Sequence, residues 1–315
     1  MSTEQSKDLT KLGTKQENTT SILPPALRAA KALNKKNAIG SFEVTLPVMN
    51  VKVICRPFSN IDDLTVKTLS GSMSAYTDTN FNLLYRHAEF PVDMEMSFEK
   101  FKVYLTEADF RTILFGIMKA SFKKLEESQF RCKNEKCPNP DTNKYFTAAP
   151  EMDKVQIIFN NPPFVSPSND HTKDIFIAEA DGLTINYKFD TISYKIDAFK
   201  SKSNDEIRDN LMTLGMMIPK TELTLNYIES VEVKDDESGE TFKVTNPMDI
   251  KMFIDQLDIT SRDLIEKLND QYIKYIDGWV PSFSTTIECP HCKATQDWRD
   301  IDIYVEFFRK FSVIF

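Results

Sequence analysis

Four of the five cysteines in this 315-residue chain fall in two close pairs, Cys132-Lys-Asn-Glu-Lys-Cys137 and Cys289-Pro-His-Cys292, with 151 residues between Cys137 and Cys289. A tight turn can present two thiolates to one metal ion when two to four residues separate them, so each pair has the spacing of a zinc half-site. Strand-like text precedes each pair, with Phe130 before the first and Ile287 before the second, and would hold the turns rigid. The favoured reading is one tetrahedral site made by Cys132, Cys137, Cys289 and Cys292. Loop-closure entropy grows only logarithmically with length, so such a site is thermodynamically allowed as a structural clip between the middle of the chain and its end. Two alternatives stay open: unlinked reduced cysteines, and dithiol exchange at Cys-Pro-His-Cys. His291 reads as a solvent-facing spacer, since four sulfurs already complete a tetrahedron.

Glycine scarcity limits the chemistry further. The eight glycines are spaced at least about two dozen residues apart. Loops that cradle nucleotide phosphates need closely spaced glycines, which excludes the dinucleotide fingerprint and the Walker A loop. A net charge of −8 disfavours general attraction to phosphate backbones or anionic lipid. No apolar run approaches the roughly 18 residues of a membrane span, and the N-terminus lacks the apolar stretch of a secretion signal, so the chain reads as cytosolic. Disulfides are disfavoured there.

Other candidate residues carry little. Cys55, alone in an alternating segment, reads as a buried apolar residue. His87 and His171 are too far apart to form a local ligand pair, and neither His-Glu-x-x-His nor Gly-x-Ser-x-Gly occurs. No catalytic residue is assigned, and the expectation is a protein that is not an enzyme. Asn161-Pro-Pro-Phe164 resembles the signature of amino-group methyltransferases, yet the glycine-bearing cofactor loop of those enzymes is missing. Pro162-Pro163 is read as a rigid loop exit.

The length suggests two domains or one large domain with insertions. Residues 1–40 read as a polar, mobile tail with a short Ala-rich helix. Residues 41–130 begin with a hairpin around Pro47-Val-Met-Asn50 and continue with helices. The clearest helix follows Thr106-Glu-Ala-Asp109 and carries the stripe Phe110, Ile113, Leu114, Ile117, Met118 and Phe122. Residues 131–200 hold the first cysteine pair and alternating strands at 155–159 and 183–189. Residues 201–315 open with a helical stretch near 204–217, then a hairpin across the acidic tip ending at Gly239. A helix starting at Asn246-Pro247 comes next, followed by another capped by Thr260 or Ser261 and stopped by Gly278. The second cysteine pair, a strand Ile301-x-Ile303-x-Val305 and an aromatic end close the chain. The fold class is α+β: helical and β-hairpin segments, a β-rich middle region and a split zinc-ribbon-like four-cysteine site.

The hairpin leading to Arg56-Pro-Phe58, the Leu105-Thr-Glu-Ala-Asp-Phe helix, the cysteine pair after it, and the closing Ile287-Glu-Cys-Pro-His-Cys292 followed by Phe307-Phe308 give the chain a recognisable layout. It resembles the baseplate hub and hub-assembly proteins of contractile-tailed, T-even-like bacteriophages over residues 41–315. The resemblance implies a non-enzymatic structural or chaperone-like part of the tail baseplate hub whose partners are other baseplate proteins. It would act in the host cytoplasm during assembly and, if retained, in the virion. Phe307, Phe308, Phe311, Val313, Ile314 and Phe315 either complete the core or anchor such a partner. The competing functions are a zinc-ribbon protein associated with nucleic acid, disfavoured by charge, and a thiol oxidoreductase.

Overall fold

In a computed structural model, the residues described are 40–59, 81–139, 143–159, 175–189 and 227–310, with Ala29, Asp62 and Thr191 and without the side chain of Phe308. Most of the expected tail, the stretch near 204–217, Asn161–Phe164, His171, Phe311 and Phe315 lie outside them. The chain divides into two compact units, Met1–Ala38 and Ile39–Phe315. Of the first, Ala29 is helical and exposed. All the strands and helices named below belong to the second.

The alternating text at 41–58 forms the expected hairpin. Strand β1 (Phe42–Thr45) pairs antiparallel with β2 (Lys52–Cys55), and β3 (Ala88–Glu89) adds to the far side of β2. Val44, Val53 and Cys55 are buried, while Glu43, Lys52 and Ile54 face outward, as a period of two requires. After a short helix α1 (Phe98–Tyr104), the long helix α2 (Glu107–Ser121) covers the hairpin's apolar face. Its stripe is buried from Phe110 to Met118. Gly116 permits the close approach: a Cβ there would sit 2.5 Å from Cys55 Sγ and 2.9 Å from Val44 Cγ1.

The N-terminus of α2 is tied to the β1–β2 turn by a buried carboxylate. Thr106 caps the helix by accepting from the Asp109 N–H at 3.2 Å, and its hydroxyl donates to Asp109 Oδ2 at 2.9 Å. Asp109 Oδ1 accepts from the Val48 N–H at 2.9 Å and the Met49 N–H at 3.4 Å. Complete burial outweighs these hydrogen bonds and pushes the Asp109 pKa up to about 7.

Strands β4 (Ser128–Arg131) and β5 (Tyr145–Ala148) form a ribbon around the first cysteine pair, and β6 (Gln156–Ile158) follows. Strands β7 (Ile175–Ala180), β8 (Leu183–Lys188), β9 (Ile228–Lys234) and β10 (Thr241–Val244) make an antiparallel sheet in the order β10-β9-β8-β7. Asp181 and Gly182, both at positive φ, form the two-residue turn between β7 and β8. Helices α3 (Pro247–Asp255) and α4 (Ile259–Trp279) pack on this sheet. Tyr187 stacks on Tyr272 at 4.5 Å and Phe176 on Tyr275 at 4.7 Å, and the Tyr187 hydroxyl donates to Asn269 Oδ1 at 2.5 Å.

Strand β11 (Ser282–Glu288) pairs with β6 through its first half and with β12 (Thr295–Trp298) through its second. Helix α5 (Ile303–Lys310) then returns to α2, where Tyr304 stacks on Phe110 at 5.0 Å. Every described strand pair is antiparallel, so the fold is α+β, and among the described residues there is none of the parallel pairing that a methyltransferase sheet requires.

Three local readings are corrected. The α4 cap is Asp258, whose carboxylate accepts from the Ser261 N–H at 2.8 Å, so Thr260 and Ser261 lie in the first turn. Gly278 is inside the last turn, and the helix ends at Trp279 with Val280 extended. The expected strand at Ile301–Val305 is the entry to α5: Asp302 Oδ1 accepts from the Tyr304 and Val305 N–H groups at 3.0 and 3.2 Å and starts a helix.

Gly116→Ala is expected to destabilise the fold by ~1–3 kcal/mol despite alanine's better helix propensity. Adding Cys55→Ala should recover part of the loss, a coupling measurable by a denaturant double-mutant cycle. Because the folded-state pKa of Asp109 lies above its unfolded value of ~3.9, this group favours folding most at low pH, and that contribution is lost as pH rises through about 7. Asp109→Asn keeps an acceptor for Val48 and a donor for Thr106, so thermal melts should lose this pH dependence between about 4 and 7.

Candidate metal centre

Each cysteine pair sits at the tip of a hairpin. Cys132 follows β4 directly, and Cys137 lies in the same β4–β5 loop; Cys289 follows β11, and Cys292 precedes β12. The first turn is held by the Cys132 N–H donating to the Lys144 carbonyl at 2.9 Å and the Cys137 N–H donating to the Asn134 carbonyl at 3.1 Å. The Lys144 ammonium also donates to the Glu135 carbonyl at 2.5 Å. In the second turn the Cys289 N–H donates to the Ala294 carbonyl and the Lys293 N–H to the Cys289 carbonyl, both at 2.9 Å. Lys293 takes up a left-handed backbone, φ 61°, to close it.

The four sulfurs of Cys132, Cys137, Cys289 and Cys292 all lie within 4.8 Å of one another. Across the two turns, Cys132 Sγ is 3.6 Å from Cys292 Sγ and Cys137 Sγ is 3.7 Å from Cys289 Sγ. These separations are far beyond the ~2.05 Å of a disulfide. They are close to the ~3.8 Å edge of a tetrahedron of sulfurs around a centre at ~2.3 Å, the zinc–thiolate distance. The residues present therefore fit a four-coordinate thiophilic ion. His291 is exposed and outside this group, as its reading as a spacer requires.

Local amides already point at the sulfurs. The Ala294 N–H is the main cause that draws the Cys292 thiol down to about 7, and burial pushes Cys137 up to about 12. The two hairpins are also joined outside the sulfurs. Gln296 on β12 accepts from the Lys133 N–H at 3.1 Å and donates to the Arg131 carbonyl at 3.0 Å, gripping the backbone on both sides of Cys132. Phe130 on β4 meets Trp298 on β12 edge to face at 5.0 Å. Sequence reasoning missed Gln296, because nothing in a lone glutamine four residues past a knuckle marks which strand it will face. The Trp298 position had a faint mark in its alternation with Gln296.

Among the described residues, Cys55, His87 and Phe307 serve the fold. Cys55 is buried against Ile113, and burial pushes its thiol up to about 12, which makes it a poor nucleophile. His87 Nε2 lies 3.1 Å from Asp62 Oδ2, the same oxygen that accepts from the Ser59 hydroxyl at 2.5 Å. Both groups are directed to the carboxylate, so the imidazole is not placed as a base on the hydroxyl. Phe307, offered as a partner anchor, is buried in the core and meets Phe58 at 5.6 Å, because the helical turn of α5 points it inward. No described helix is long and apolar enough to cross a membrane.

A family model described as T4 bacteriophage base plate protein matches residues 41–309. The matched range contains both hairpins and all four clustered cysteines. No curated protein and no solved structure matches the chain.

Exposure and thiol acidity together set an order of reactivity in metal-free protein. Cys292, half-exposed and with its thiol drawn down to about 7, is expected to be alkylated first, and buried Cys137 well after it. Timed iodoacetamide labelling with peptide mass mapping reads this order; simultaneous labelling would show that the cluster is loose without metal.

Proposed function

The chain belongs to the T4 bacteriophage base plate protein family, and on that premise we propose that it is a non-enzymatic structural or assembly component of the baseplate hub. It acts through protein–protein contacts in the tail and is held in shape by a structural zinc ion on Cys132, Cys137, Cys289 and Cys292. The observation that carries the reading is the family match over 41–309, most of the chain. The cysteine geometry supports the metal part: four thiolates favour a soft or borderline ion such as zinc over calcium or magnesium. A shell of four sulfurs leaves no open coordination position, which suits a structural role better than a catalytic one.

The clip has a mechanical purpose in this reading. It fastens the β4–β5 ribbon to the β11–β12 hairpin, and α5, which follows β12, then lies against the segment leading into β4. Arg309 donates to the Glu127 carbonyl at 2.6 Å and the Ser128 hydroxyl at 2.8 Å, and Lys310 pairs with Glu126 at 2.8 Å. A chain so closed presents fixed outer surfaces to neighbouring subunits. Assembly would take place in the host cytoplasm before or during incorporation into the tail.

Purified protein is expected to carry one zinc per chain by elemental analysis. Cys132→Ser or Cys289→Ser should lose it and lower stability by ~4 kcal/mol or more, whereas Cys55→Ser should retain it. Thiols that label fully without chelation would argue for dithiol exchange instead. Co-purification from infected cells should recover other baseplate proteins, and absence of the chain from base plates and their precursors would overturn the hub assignment.

A further inference from the structure

Four clustered sulfurs can be bonded in more than one way, and the fold selects among them. Cys132 Sγ lies 3.6 Å from Cys292 Sγ and Cys137 Sγ 3.7 Å from Cys289 Sγ, so each of these contacts crosses from one hairpin to the other. Closing either to the ~2.05 Å of a disulfide takes a movement of about 1.6 Å, within reach of small side-chain rotations. The Gln296 bridges beside Cys132 and the Phe130–Trp298 contact hold the hairpins face to face without any ion. A bond across the turns joins residues 160 or 152 positions apart, whereas a bond within a turn joins residues five or three apart. The longer loop removes more freedom from the unfolded chain, so the cross-turn bonds stabilise the fold more.

We propose that this centre is a convertible clip: once its ion is lost, a peroxide-class oxidant joins Cys132 to Cys292 and Cys137 to Cys289, and the two hairpins stay fastened by sulfur alone. Cys292 is half-exposed and the other three cluster thiols are buried, so Cys292 meets the oxidant first. Its sulfur attacks one peroxide oxygen, the O–O bond breaks, and hydroxide departs, leaving a sulfenic acid. Cys132, 3.6 Å away, then attacks that sulfur and expels the sulfenic oxygen as water. Two electrons pass from the sulfur pair to the peroxide, and two thiols with one peroxide give one disulfide and two waters. The Cys137–Cys289 pair follows with a second peroxide. On the base plate reading, which this inference extends and rests on for its setting, the chain assembles in a reducing cytoplasm that keeps thiols available to metal. The tail of a released particle stands in an oxidising medium where disulfides persist. The chemistry itself needs only the four cysteines, whatever ion they hold.

The test treats the purified full-length chain with hydrogen peroxide, alkylates remaining thiols with iodoacetamide in denaturant, and cleaves without reductant. Trypsin separates Cys132 from Cys137 after Lys133 and Lys136, and fragmentation between Cys289 and Cys292 assigns the second turn. Mass spectrometry should find the Cys132–Cys292 bond first and the Cys137–Cys289 bond later, with buried Cys55 still a free thiol and any bound zinc released in step. The doubly bonded chain should melt about 5 °C or more above the chelator-treated, reduced chain. Bonds within a turn, diagonal bonds such as Cys132 to Cys289, sulfinic acids without linkage, or an oxidised chain that melts with the reduced metal-free one would each overturn the proposal. A purified chain that holds no zinc yet forms both cross-turn bonds would remove the zinc assignment and keep the clip; a zinc-loaded chain that forms bonds within a turn would do the reverse.

Discussion

The two cysteine-bearing turns can meet only while β11 keeps its register, because that one strand serves two neighbours along its length. Its first half pairs Ser282, Phe283 and Ser284 with β6, and its second half pairs Thr285 through Glu288 with β12. Phe283 reaches the core beneath α2, 5.2 Å from Phe115, and Cys289 follows six residues later beside Cys137. A slip of one residue would turn Phe283 and Ile287 to the opposite face and carry Cys289 away from its partners. The hydrophobic core beneath α2 and the sulfur cluster are therefore the two ends of one strut.

That arrangement gives a long-range contact local causes. Bringing residues 152 positions apart to one point costs loop-closure entropy, but only logarithmically in the length of the loop. The burial of Phe283 and Ile287, the Gln296 bridges and the Phe130–Trp298 contact all contribute to offsetting it before any ion is considered. A bound ion would then act on two turns already close to the geometry it needs, which favours binding by reducing the reorganisation required.

Polar groups elsewhere are used to fix positions. Asp109 ties the β1–β2 turn to the start of α2, and Asp62 collects Ser59, Arg86 and His87. Burial alone would raise the Asp62 carboxyl, and hydrogen bonds from Ser59 with the neighbouring His87 more than offset it, so it titrates below its ordinary value. These carboxylates hold the scaffold around β1–β2.

Much of this was legible in the sequence wherever the determining interaction is local. The period of two in β1 and β2, the Thr106–Asp109 cap, Pro247 opening α3 and the spacing of each cysteine pair depend on neighbours within a few residues. The α5 segment misled because Ile301, Ile303 and Val305 alternate as a strand would, while the Asp302 side chain, by capping the first turn, decides for helix. Which hairpin faces which, the grip of Gln296 on both sides of Cys132 and the burial of Phe307 depend on residues far away in the chain. The amino-acid order by itself determined that the chain holds two thiolate turns and the helices and hairpins around them; only tertiary packing decided that the turns come together at one centre and that Phe307 turns into the core, because both depend on surfaces that exist only after distant strands have paired.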